Sequence, residues 1–168
     1  VFASFSPVMH DAAKRVFDED RIHSEVSPTK RGGAFCYTYA KDETPFVMLN
    51  HVGSLNNLST MAHELGHAVH SQLARETTEF TSHAPIPVAE TASIFAELLL
   101  REHLLKTASH ERRKQILFDE LADFYASIVR QSYFAMFELE AHKAIEQGAT
   151  AQDLDELYLR NLQQQFGE

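Results

Sequence analysis

Apolar residues recur along this chain mostly at helical spacing, and only one short stretch alternates in the way strands do. From Ser6 to Asp20, Val8, Met9, Ala12, Ala13, Val16 and Phe17 fall on one face, with Ser6 and Pro7 suited to cap and open a helix. Residues 26–33 (Val-Ser-Pro-Thr-Lys-Arg-Gly-Gly) read as a loop. Ala34 to Ala40 is short, aromatic and strand-like, Lys41 to Pro45 can turn the chain, and Phe46 to Asn50 can return as a second strand. This hairpin is the only β structure the pattern predicts.

Beyond it the chain reads as helical almost to its end. One helix is predicted from about Ser54 to Arg75, followed by a polar connection that contains Pro85. A second runs from Pro87, acceptable in a first turn, to Lys106. A third, long helix starts near Ser109 and reaches Gln147, where Gly148 is a natural stop. A fourth follows Thr150, an N-cap residue with Asp153 three positions on. With no repeat, low-complexity segment or boundary signal, residues 1–168 read as a single (sub)domain, mainly α with one small β-hairpin.

Composition narrows the classes. Hydrophobic residues at 44% and charged residues at 23% are a globular balance, against disorder. A net charge of −9 disfavours nucleic acid or an anionic membrane as partner, since both demand clustered cations. The longest apolar run, Ile94 to Leu100, is short and contains Glu97, so no membrane span is expected. The single cysteine, Cys36, excludes an internal disulfide framework, and residues 1–10 lack the basic start of a secretory leader. Both point to the cytoplasm. The chain begins with Val rather than Met, which suggests a processed protein or a piece of a longer one. Ten histidines beside one cysteine predict that any metal site is built from imidazole and carboxylate.

One segment concentrates that chemistry: Thr60-Met-Ala-His63-Glu64-Leu-Gly-His67-Ala-Val-His70. His-Glu-x-x-His within a helix sets two imidazoles one turn apart, where both nitrogens reach one ion. Glu64 lies about 100° around the axis from His63 and roughly 60° from His67, so it can reach a metal-bound water without being a ligand. Zinc lowers that water's pKa from about 15.7 towards 7, and Glu64 can take the proton as general base and return it to a leaving amine. A catalytic site needs a third protein ligand and an open position. The longer His-Glu-x-x-His-x-x-Gly-x-x-His pattern fails, because position 70 is His70 and position 73 is Leu73. Glu90, at the start of the next predicted helix, is the favoured third ligand, with Glu76, Glu79 and His83 as rivals in the connection.

The segment His63 to His70, followed by Pro85 to Glu97 (PIPVAETASIFAE), resembles the thimet-oligopeptidase family of zinc peptidases, and most of all its oligoendopeptidase F branch. Lys30 to Cys36 (KRGGAFC) before the metal helix and Arg130 to Glu138 (RQSYFAMFE) after it match in the same order. The resemblance implies a zincin-like helical catalytic core, one zinc held by His63, His67 and Glu90, Glu64 as general base, and short peptides as substrates. It also implies that the chain is the metal-binding middle of a larger helical peptidase. The family's large N-terminal helical region is absent, and so is its downstream segment with a His and closely spaced tyrosines. The tyrosines here are Tyr37, Tyr39, Tyr125, Tyr133 and Tyr158, none in a His-x-x-Tyr arrangement.

Other residues have weaker readings. Glu97, seven positions after Glu90 on the same face, can accept the second N–H of a zinc-bound histidine, or be an ordinary exposed or otherwise paired Glu. His70 is read as packing on the helix flank. Gly32 to Tyr37 reads as a strand over the core or, as the resemblance favours, as an edge strand that pairs with extended substrate. Cys36 is read as inert and half-buried. Tyr133, Phe134, Met136 and Phe137 read as core, and surfaces that the missing regions leave bare are expected to promote self-association. The leading expectation is a zinc metalloendopeptidase whose isolated 168-residue chain is weakly active or inactive. Its rivals are a zinc-binding but catalytically dead or peptide-binding module, and a purely structural helical domain.

Overall fold

A computed structural model describes residues 1–167, which fall into two compact units that divide after Thr107. In the first, a single turn α1 (Phe2–Phe5) leads into α2 (Pro7–Asp18), whose N-cap Ser6 accepts a hydrogen bond from the Met9 amide. Three short strands follow: β1 (Ile22–His23), β2 (Phe35–Tyr37) and β3 (Phe46–Met48). The expected hairpin is present as β2 and β3, antiparallel, with Cys36 opposite Val47. A strand the pattern did not predict, β1, lies parallel to β3 on its other side and leaves β2 at the sheet edge. Two residues are too few to show alternation, so β1 carried no periodic signal.

The Lys30 ammonium ties the loop ahead of β2 in place. It donates to the carbonyls of His23, Glu25 and Leu49 at 2.7–2.9 Å, and Asn50 adds a bond to the Arg31 carbonyl.

Helix α3 (Leu55–Leu73) opens on a reciprocal capping box between Ser54 and Asn57 and ends in a 3-10 turn, Ala74–Glu76. One side of it, through Leu65 and Ala68, meets Val16, Val47 and Leu49 in the main core, and Val69 packs with Ala12 and Ala13 of α2. The other side meets α4 (Ile86–Thr107), which buries Ser93, Ala96 and Leu100. Glu90 is the fifth residue of α4, one residue past the first turn in which it was expected.

The second unit is all helix. Where one long helix was expected, α5 (His110–Phe124) passes through wider π turns at Tyr125–Arg130 into α6 (Gln131–Glu146). The apolar spacing shifts at the interruption. Leu117, Leu121, Phe124 and Ile128 keep helical spacing, but the next large residues are Tyr133 and Phe134 rather than Gln131 or Ser132, and wider turns take up that slip. Gly148, at φ +87°, ends the run, and α7 (Ala151–Phe166) starts on the Thr150–Asp153 capping box. Helices α6 and α7 meet through Ala141, Leu157 and an edge-on contact of Phe137 with Tyr158. Tyr133, Phe134 and Phe137 are half-buried, whereas Met136 is exposed.

Candidate metal centre

The centre is built where α3 and α4 cross, and the crossing depends on the absence of one side chain. A Cβ on Gly66 would stand 2.6 Å from the Ala92 carbonyl oxygen, 2.7 Å from Ser93 Cα and 2.9 Å from Ala96 Cβ. The two backbones can therefore come this close only at a glycine. That approach brings Glu90, one turn before the contact, and Glu97, one turn after it, alongside His63 and His67.

Nε2 of His63 and Nε2 of His67 lie 3.2 Å apart. Oxygens of Glu90 stand 3.3 Å from the first and 3.7 Å from the second. Two ligands each about 2.1 Å from a tetrahedral ion would be about 3.4 Å apart, so the spacing suits a single zinc-sized ion. Among the described residues, these three side chains form the group of His, Cys, Asp and Glu able to hold a metal, their ligand atoms all within 4.8 Å of one another. Glu76, Glu79, His83 and His70 are not among them.

Each ligand has a further partner. His63 Nδ1 lies 2.5 Å from Glu97 Oε1, and Glu97 Oε2 accepts from Ser59 Oγ at 3.2 Å. The His67 ring donates to the backbone carbonyl of Ala89. Glu90 Oε2 accepts from Ser93 Oγ at 2.8 Å.

Electrostatics follow from this crowding of acids and imidazoles. The bond to Glu97 raises the His63 pKa, while burial, and then the charge of His63, lower that of His67. Glu64 is only 5% exposed; burial first, and the Glu90 carboxylate next, hold it above the ordinary carboxylate range. The Cys36 amide donates to Glu64 and partly offsets that rise. Because this amide serves Glu64, Cys36 turns its backbone away from β3 and towards the free edge of the sheet. Its thiol is pushed up to about 12 by burial and by the Glu64 charge, which makes it a poor nucleophile.

Sequence reasoning missed Ser59, Ser93, the Cys36 amide and the part played by Gly66. Gly66 carried a signal, since a glycine inside a strongly periodic helix costs about 1 kcal/mol and implies a packing reason. Ser59 and Ser93 were legible only as residues one turn from His63 and Glu90.

The sequence profile of peptidase family M3 matches residues 3–168. The chain is 36% identical over 162 residues to the chromosomal oligoendopeptidase F of Lactococcus lactis subsp. cremoris, covering 94% of this chain and 27% of that protein. It is 35% identical over 170 residues to the group B oligopeptidase PepB of Streptococcus agalactiae, covering 100% of this chain and 28% of that one. It thus spans less than a third of the length of these relatives. The solved structure of PZ peptidase A with an inhibitor superposes with a TM-score of 0.79 over 98% of this chain and 29% of that chain, at 17% identity, a likeness of fold.

Proposed function

The chain belongs to peptidase family M3, in its oligoendopeptidase F branch, and from that premise we propose that it is the catalytic core of a zinc-dependent metalloendopeptidase acting on short peptides. The observation that carries the reading is the convergence of His63, His67 and Glu90 on one point, with the buried Glu64 electrostatically coupled to it. Two imidazoles and one carboxylate are a donor set for zinc that leaves a fourth position open. A zinc ion there supplies an acidified water and a Lewis acid for the scissile carbonyl.

The chain's own residues supply the rest. Glu64, with its proton affinity raised by burial and its carboxylate held by the Cys36 amide, takes a proton and returns it to the leaving amine. Strand β2 lies at the sheet edge beside Glu64, where an extended peptide can add as a further strand. No helix among the described residues is long and apolar enough to cross a membrane. A cytoplasmic oligopeptidase is the setting we propose, and the lone Cys36 suits it.

Glu64→Gln tests the assignment. In the full-length protein it is expected to lower turnover of a quenched peptide by about 10²–10⁴-fold, the usual contribution of a general base, while zinc content stays at one per chain. Loss of zinc in that variant would make Glu64 a ligand, and full turnover would remove it from the chemistry.

A further inference from the structure

We propose that Ser59 and Glu97 are positioning residues that fix which nitrogen of His63 faces the metal, and thereby govern how firmly the metal is held. The inference rests on the metal-centre reading above. Glu90 and Glu97 lie two turns apart on α4 and reach opposite nitrogens of one ring: Glu90 faces Nε2 at 3.3 Å, and Glu97 meets Nδ1 at 2.5 Å. A carboxylate at Nδ1 requires the proton to sit there, which leaves the Nε2 lone pair directed at His67 and Glu90.

The carboxylate is itself immobilised. Its second oxygen accepts from Ser59 Oγ, and Ser59 lies one turn before His63 on the same face of α3. A hydroxyl and an imidazole of one helix therefore hold both oxygens of one side chain of the other, and neither the ring nor the carboxylate can rotate without breaking a bond. The Glu97 side chain is 24% exposed, so water competes poorly for either contact. His67 differs, because its ring donates to a backbone carbonyl that no side-chain substitution removes. Of the two histidines, His63 is thus the one whose orientation side chains beyond the ligands control, and a negative partner also makes its metal-facing nitrogen a better donor.

The test uses the 168-residue chain, first metal-free and at a pH high enough that further base no longer changes the His63 ring signals, with His63 assigned in ring ¹H–¹⁵N spectra by comparison with His63→Gln. Wild type is expected to show His63 wholly as the Nδ1–H form with a downfield proton, and Glu97→Ala a mixture of tautomers. Zinc is then titrated against a chromogenic chelator. Glu97→Ala is expected to weaken binding on the order of 10- to 100-fold, Glu97→Gln less because its amide oxygen still accepts, and Ser59→Ala least. Should Glu97→Ala fail to fold by circular dichroism, the near-isosteric Glu97→Gln decides: a smaller downfield shift with weaker zinc binding supports the proposal, and an unchanged proton and affinity overturn it. A variant that melts earlier but keeps the wild-type tautomer and zinc affinity would overturn the proposal, leaving Glu97 a mere tie between helices. A wild-type chain that takes up no zinc overturns the metal reading and this inference's claim on metal retention; the metal-free spectrum then still upholds or refutes the tautomer lock.

Discussion

Two helix pairs in this molecule are built on opposite plans. At the α3–α4 crossing the contact is backbone against backbone over Gly66, and polar side chains occupy the space on either side of it. At α6–α7 side chains keep the helices apart: Phe137 meets Tyr158 edge-on, and Asn161 reaches across to the Tyr133 carbonyl. The first pair gathers five titratable residues, His63, Glu64, His67, Glu90 and Glu97, each with a named partner. The second gathers none that could share a metal among the described residues. In the same unit α5 leaves Phe118 69% and Leu121 66% exposed. Chemistry is concentrated where the backbones come closest, because imidazole and carboxylate side chains flanking the contact can then share one atom-sized point.

The contrast breaks most decisively at its hinge residue. Gly66→Ala places a methyl group within 2.6–2.9 Å of Ala92, Ser93 and Ala96, two of those contacts being with backbone that cannot swing aside. Overpacking of this kind is expected to cost on the order of 3 kcal/mol and to weaken zinc binding by separating Glu90 from the histidines. Urea unfolding and chelator competition measure the two effects. Wild-type values in both would mean that the helices have slack, and that closeness does not set the site.

A smaller effect concerns the cost of gathering acids. The raised pKa of Glu64 means that the metal-free fold resists its charged form more than the unfolded chain does. The penalty is therefore full above the folded pKa and vanishes as pH falls below the unfolded value of 4.5. Glu64→Gln is expected to raise the melting temperature of the metal-free chain at pH 7, with a gain that fades towards pH 4. A constant or opposite shift across that range would show that Glu64 carries no such penalty.

Least is expected from the open helix. Leu121→Gln should alter stability by less than about 0.5 kcal/mol, because the side chain is already mostly in solvent. Sedimentation is expected to show less self-association than wild type. A large loss of stability would mean that α5 is packed far more tightly than its exposure indicates.

Much of this could be read from residue types and spacing. Helices α2 and α7 announced themselves through caps at Ser6 and Thr150, α3 through its spacing, α4 through Pro87 in its first turn, and the hairpin through its aromatic strand. Strand β1 could not be read, since two residues paired by a neighbour carry no pattern of their own. The π turns at Tyr125–Arg130 left a trace only as a slip in apolar phase. At the site, His63, Glu64 and His67 follow from one turn of a helix, whereas the closeness of Glu90 depends on a tertiary crossing. Gly66 hints at that crossing but does not say which helix arrives. Ser59 and Ser93 are ordinary helix serines until the carboxylates they hold are in place.

The central claim is that α3 and α4 alone assemble a metal site from His63, His67 and Glu90. Native mass spectrometry of the 168-residue chain with one equivalent of zinc tests it most directly, beside His67→Ala and Glu90→Ala. One zinc per wild-type chain and little or none in either variant is the result predicted. A wild-type chain that remains metal-free, or a Glu90→Ala chain that binds as wild type does, would contradict it.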